Sequence, residues 1–412
     1  MDKNVGKEYS QGELFVLPGA PKPKIVPRSE HPISRKNISV EALKVLYRLK
    51  DHGYLAYLVG GSVRDLLLGL TPKDFDVGTD ARPEEIKKIF RWSRIIGRRF
   101  RLVHVYFKGG KFIEVVTFRG PECAEENGVE VYGTPYEDAF RRDLTINALF
   151  YNIADFSIID FVGGIEDLRA GIIRVIGHPD QRFVRDPVRM MRAIRHAARI
   201  GFQIEPLTWE GILRHRQKIS LCAPMRVRDE WLKDVLGGWS APWVELMLKS
   251  GLFGEVFPAY QKVLNRSGET KALLVGLLAE MDKKIRKKAL TPPQALALFL
   301  YPFVVGKGRV EQIPQRASRP YELIRKEVAH IFFPYDFKKE LFENTVQLLT
   351  AVWPIKYHLL FSKKMPRRLA KKSYFAEALT ITKVILKLER KLFKMEIEDL
   401  RSKRRGKGVR RA

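Results

Sequence analysis

Asp74 and Asp76, with Phe75 between them, stand at a predicted β-strand, 75–77. Side chains along a strand alternate with a period of two, so both carboxylates are expected on one face while Phe75 turns into the core. Such a pair can bridge hard cations. Mg²⁺ takes oxygen ligands and typically binds through one or two carboxylates plus substrate phosphates, the arrangement that phosphoryl transfer needs. One ion would activate an attacking 3′-hydroxyl and a second would hold a triphosphate. Taken alone, the triplet better fits solvated acids at a strand end or a helix cap. Its neighbours favour the chemistry. Gly60 and Gly61 close a predicted strand, 54–59, and open a helix, where backbone N–H groups and the helix dipole can meet a triphosphate. Arg64 follows one turn later, its structural alternative being a pair with Asp65 or Asp74.

The elements that must position these groups follow from periodicity. Residues 1–36 mix Gly, Pro, Lys and Arg without a sustained period and read as an extended arm. Regular structure is predicted to begin at Ser39, the cap of a helix with Ala42, Val45, Leu46 and Leu49 on its apolar face and Gly53 at its end. A short helix over 62–68 ends at Gly69. Segments 102–107 and 112–118 flank Lys108, Gly109, Gly110 and Lys111, a hairpin signal. Thr134, Pro135 and Glu137 form a capping box for a helix carrying Arg141, Arg142, Asp143 and Asn147. Helix and strand interleave to about residue 175, which argues a mixed α/β domain; beyond residue 180 helical periods dominate. The stretch 305–320 reads as a linker, and 401–411, nearly all Lys, Arg and Gly, as a disordered tail.

Across 412 residues, 75 Lys and Arg against 47 Asp and Glu leave a net charge of +28, a field that draws polyanions and makes nucleic acid the leading partner. Arg182, Arg185, Arg189, Arg192, Arg195 and Arg199 recur every three or four residues, so one helix would present them as a stripe; so many like charges suit an RNA or triphosphate ligand. The only cysteines, Cys123 and Cys222, are too few and too distant for a disulfide framework or a Cys-rich metal site, and a reduced, cytoplasmic compartment is expected. The longest apolar run, 295–305, is too short to span a bilayer, and the N-terminus has no apolar leader, so a soluble protein is expected. The histidines form no metal or nucleophile cluster.

Four ordered segments, Leu58-Val-Gly-Gly-Ser-Val-Arg-Asp65, Asp74-Phe-Asp76, Arg141-Arg-Asp-Leu-Thr-Ile-Asn-Ala148 and Asp186-Pro-Val-Arg-Met-Met-Arg-Ala-Ile-Arg195, together resemble the class II nucleotidyltransferases, the bacterial poly(A) polymerases and tRNA CCA-adding enzymes. The resemblance spans about residues 55–205 and implies an α+β fold. A polymerase-β-like head (37–178) would be followed by an all-α neck (179–260), a helical body (261–400) and the basic tail (401–412). It further implies Asp74 and Asp76 as metal ligands for two Mg²⁺ ions. Asp143 would be a third active-site carboxylate, with Glu114 on the facing strand as the competing choice. Gly60, Gly61, Arg64, Arg142, Asp186, Arg189 and Arg192 would bind the nucleotide. Asp186 and Arg189 would read the base edge: an Asp accepts from an exocyclic amine and an Arg donates to the adjacent ring nitrogen, a pattern that adenine and cytosine offer and guanine and uracil do not. Arg185 departs from the family, many members of which carry an acid there.

Within the family, His31-Pro-Ile-Ser-Arg-Lys-Asn-Ile38, Ile96-Gly-Arg-Arg-Phe-Arg-Leu-Val-His-Val105, the long segment before Gly60 and the basic tail resemble the poly(A) branch. The expected activity is template-independent polyadenylation of RNA 3′ ends from ATP. CCA addition to tRNA is the alternative, and a catalytically inactive RNA-binding protein on the same scaffold a second.

Overall fold

The computed structural model describes residues 22–97, 101–120, 131–306, 320–362 and 364–393. The chain divides into two compact units, one of residues 1–179 with 203–205 and the other of 180–202 with 206–412. The predicted tail, and the predicted linker from residue 307 to 319, lie outside the described residues, as does Cys123.

The first unit is built on an eight-stranded sheet. Its strands are β1 (Lys24–Val26), β2 (Ala56–Val59), β3 (Asp76–Thr79), β4 (Ser93–Ile96), β5 (Leu102–Tyr106), β6 (Phe112–Thr117), β7 (Leu149–Asn152) and β8 (Ile158–Asp160). They lie in the order β1-β8-β7-β2-β3-β6-β5-β4, antiparallel throughout except for the parallel pair β3 and β6. Helices α1 (Val40–Asp51), α2 (Gly61–Leu67), α3 (Pro83–Ile89), α4 (Pro135–Arg141) and α5 (Gly164–Ala170) fill the connections. Ser39 caps α1, its hydroxyl accepting from the Ala42 N–H at 3.1 Å, and Ala42, Val45, Leu46 and Leu49 are buried. On one face of the sheet Tyr57, Val59, Phe150 and Ile159 form a core with Phe118, Ala139 and Phe161.

The arm departs from the sequence reading. From Lys24 onward it is part of the domain: β1 pairs with β8, Val26 and Ile33 are buried, and the buried His31 ring bonds the Phe156 carbonyl at 2.8 Å. Three residues are too few to show a period, and the partner that makes them a strand lies far along the chain. The hairpin is as expected, with Gly109 at φ +78° and Gly110 at φ +74° in the turn.

A short parallel pair, β9 (Ile172–Ile173) with β10 (Gln203–Ile204), completes the first unit. The second unit is helical: α6 (Pro179–Arg185), α7 (Val188–Ile200), α8 (Pro206–His215), α9 (Pro224–Val235), α10 (Ser240–Ser250), α11 (Leu252–Val256), α12 (Pro258–Leu264), α13 (Gly268–Arg286), α14 (Pro292–Gly306), α15 (Pro320–Phe332), α16 (Lys339–Phe361), α17 (Arg367–Ala370) and α18 (Phe375–Phe393). Buried Trp231 packs its ring against Phe257, Phe299, Phe332 and Phe337, joining four stretches of sequence in one aromatic core. Among the described residues no helix is long and apolar enough to cross a membrane.

Candidate active site

Asp76 is the first residue of β3, not its second. Its register partners are Val59 of β2 and Glu114 of β6, so Asp76 and Glu114 stand side by side on neighbouring strands and point to the same face. Asp74 lies exposed just before the strand, and Phe75 is half-buried rather than a core residue. The three carboxyls repel one another. The Asp76 carboxyl is pushed up to about 6, first by burial and then by the charges of Glu114 and Asp74, with Arg142 acting in the opposite sense. Burial, and to a lesser degree Asp74, also raises Glu114, against the opposing pull of Arg119. A cation of two charges would relieve this repulsion.

The turn beside the carboxylates is made by Gly60, at φ +72° and ψ −142°, a conformation that β-carbons exclude. A methyl group there would sit 3.4 Å from Arg142 Nη1 and 3.9 Å from Asp76 Oδ2, so bare backbone, guanidinium and carboxylate meet at one place. Arg142 is held in position by Asp138, whose Oδ2 accepts from Nε at 3.0 Å and Nη2 at 2.8 Å. It also donates to the Asn147 carbonyl at 3.2 Å and covers the Phe150 ring. The helix predicted to carry the whole Arg-Arg-Asp motif ends instead at Arg141. Arg142, at ψ 165°, leaves the helical region, and its side chain still pairs with Asp138 one turn back.

Arg64 occupies a different environment from the one expected of a phosphate ligand. It is 1% exposed, and its guanidinium donates to Asp65 Oδ1 at 2.9 and 2.6 Å and to Asn147 Oδ1 at 2.5 Å. The structural alternative, a pair with Asp65, is therefore present, and Arg64 braces the helix behind Gly61. Asp143 is half-buried in the turn after α4, where its backbone carbonyl accepts from the Ile176 N–H at 3.1 Å. The carboxylate that β-pairing sets directly beside Asp76 is Glu114.

The donor set fits Mg²⁺: all three groups are carboxylates, and hard oxygen is what this ion takes. Among the described residues no group of three His, Cys, Asp or Glu is arranged so that it could by itself hold a metal ion.

In the second unit, Asp186 and Arg189 face one another, Arg189 Nε lying 3.8 Å from Asp186 Oδ2. Arg226 donates from Nη2 to both oxygens of Asp186 at 3.1 Å. The predicted arginine stripe is broken: Arg182 and Arg185 are on α6, the other four on α7, and Asp186 and Pro187 separate the two helices. The stripe is also partly neutralised from within the protein. Arg192 donates to Glu230 Oε1 at 3.3 Å, and Arg195 pairs with both Glu230 and Asp234 on α9. Arg195 is therefore already met by two carboxylates of the protein itself. The acids were missed, although Glu230 and Asp234 sit four apart, the spacing that matches arginines three apart on a facing helix. Asp138, at i−4 from Arg142, was readable in the same way.

Residues 56–174 match the family model described as the poly A polymerase head domain, and 201–264 that described as a probable RNA and SrmB-binding site of polymerase A. Poly(A) polymerase I of Escherichia coli O157:H7 is 42% identical over 328 residues, covering 75% of this chain and 70% of that protein. Its counterpart in Haemophilus influenzae is 39% identical over 296 residues, 68% of this chain and 65% of that one. A CCA-adding enzyme of Lactobacillus helveticus is 37% identical over 229 residues, 53% of this chain and 56% of that protein. Among solved structures, the Bacillus stearothermophilus CCA-adding enzyme in complex with CTP has a TM-score of 0.59 at 26% identity, covering 89% of this chain and 80% of that one.

Proposed function

Because this chain belongs to the poly(A) polymerase family, we propose that it extends RNA 3′ ends with AMP from ATP, without a template, using two Mg²⁺ ions at Asp74 and Asp76. The observation that carries the chemistry is the Asp76 and Glu114 pair, with Asp74, Gly60 and Arg142 around it. Greater identity over more of the chain favours adenylate addition over CCA addition.

Bound Mg²⁺ supplies Lewis acidity to the triphosphate and lowers the pKa of the attacking hydroxyl. Asp74 and Asp76 would hold it. The RNA 3′-oxygen bonds to the α-phosphorus of ATP, the bond from that phosphorus to the bridging oxygen breaks, and pyrophosphate leaves with the electron pair. Glu114, its carboxyl raised by burial, is the third active-site carboxylate in this reading and takes the hydroxyl proton at Oε. Backbone at Gly60 and Gly61 admits the triphosphate closely, and Arg142 meets its charge. Arg64 supports this turn from behind. Asp186 and Arg189 read the Watson–Crick edge of adenine, with Arg226 holding Asp186, and Arg192 adds positive charge on the same helix face.

The test offers ATP or CTP separately, with Mg²⁺, to an oligo(A) primer and to tRNA lacking its CCA end. Long A tails on both RNAs, with little C, are expected. Addition that stops after C, C and A on the tRNA alone would assign the chain to CCA synthesis. Binding of both RNAs without incorporation would leave an inactive RNA-binding protein.

A further inference from the structure

The sheet face that bears Asp76 is covered on one side of that residue and open on the other. Toward β2, β7 and β8 it is sealed by the core around Val59, Phe150 and Ile159. Toward β6, β5 and β4 the register continues the Asp76 row through Glu114, His104 and Arg94, all on one face by strand parity. The next row along the same face pairs Phe112 with Tyr106. Phe112 is 48% and Tyr106 40% exposed, and Phe112 stacks on His104 at 4.2 Å between ring centroids. His104 Nε2 in turn lies 3.7 Å from Glu114 Oε2. The opposite face of these strands carries the buried Val103, Val105, Ile113 and Val115, so the aromatic residues are not needed to fill the core.

We infer that this open strip seats the 3′ end of the RNA, the terminal base stacking on Phe112 and Tyr106 while Arg94 meets a backbone phosphate. The inference rests on the polymerase reading, which requires a 3′-hydroxyl at the carboxylates. Phe112 is one same-face step from Glu114, roughly 7 Å along the strand, close enough for the base that carries that hydroxyl. Aromatic faces accept any base, and a cation beside them favours a nucleic-acid backbone, so the seat would suit RNAs of varied sequence.

The experiment uses the full chain and an oligo(A) RNA whose terminal 3′ base is 2-aminopurine, whose fluorescence falls on stacking. Wild type is expected to quench it. Phe112→Ala should lose most of the quench and raise KM for RNA roughly tenfold, with KM for ATP unchanged, as expected for losing one stacked base. Phe112→Trp should restore both, which a purely structural role would not. An RNA ending in an abasic nucleotide should bind wild type and Phe112→Ala equally weakly. Unchanged quench and KM in Phe112→Ala would overturn the inference and assign the strip to another partner, such as a protein. Quenching by a wild-type protein that adds no nucleotide would support the seat and overturn the polymerase reading instead.

Discussion

Replacing Asp76 by asparagine is expected to abolish nucleotide addition and yet stabilise the metal-free protein at neutral pH. Burial, Glu114 and Asp74 raise the Asp76 carboxyl from 3.8 to about 6. A rise of about two units corresponds to ~3 kcal/mol of preference for the protonated form in the folded state. For an acid whose folded pKa is raised, this contribution is complete below the unfolded value and is lost as pH climbs through about 6. At pH 7.5 the wild-type carboxylate is therefore ionised against its surroundings. Asparagine keeps the shape without the charge. Because Asp76 is only half-buried, solvent screening reduces the gain to ~1–2 kcal/mol, or roughly 3–6 °C in the melting of the unit that holds the sheet. Thermal melts in a chelator would show Asp76→Asn above wild type at pH 7.5 and level with it at pH 4. Adding Mg²⁺ should raise wild type and leave the variant unmoved. A variant less stable than wild type at both pH values would refute the reasoning, since the carboxylate would then be an anchor and not a site of stored repulsion.

Glu114→Gln should lower kcat by at least about a hundredfold with little change in KM for ATP, whereas Asp143→Asn should cost less than about tenfold; steady-state kinetics at saturating Mg²⁺ separates the two carboxylates. Gly60→Ala forces a β-carbon into a conformation costing ~1–3 kcal/mol and places a methyl between Arg142 and Asp76, so activity should fall by more than its stability explains. Gly53→Ala, at φ +83° with open space around it, is the control that carries strain without loss of rate. Asp186→Ala should raise KM for ATP roughly tenfold and narrow the preference over GTP, read from single-nucleotide incorporation with each triphosphate. Arg195→Ala leaves Asp234 buried without its arginine, while Glu230 keeps Arg192, and should destabilise the helical unit by ~3–5 kcal/mol, visible in urea melts, with RNA affinity little changed in the folded fraction.

What the sequence made legible was local. The Gly60 turn, the Ser39 and Thr134 caps and the hairpin at Gly109 each depend on residues within a few positions of one another, and each forms as its chemistry dictates. What it hid was register. That Glu114 lies beside Asp76 follows from a parallel pairing between strands separated by a whole α-β-β excursion, and no local signal specifies it. The same holds for the arginine stripe, read as waiting for a polyanion because its acids are on a helix more than thirty residues away. Arg64 was ambiguous for the opposite reason: its neighbour in sequence, Asp65, is also its partner in space, and sequence cannot say whether an adjacent acid turns toward or away from a guanidinium.

The pairing of Lys24, Ile25 and Val26 with Asp160, Ile159 and Ile158 sets a timetable for synthesis. The segment is made well before the strand it must join and waits for it, on the order of ten seconds at ordinary elongation rates. Once β8 has formed, its outer edge in turn stays open until the waiting segment docks. A chain shortened by its first thirty residues would make that vulnerability permanent, presenting Ile158–Asp160 as a template for a neighbouring molecule. The short strand Lys24–Val26 thus acts as the closure that keeps this sheet edge from adding to that of another molecule.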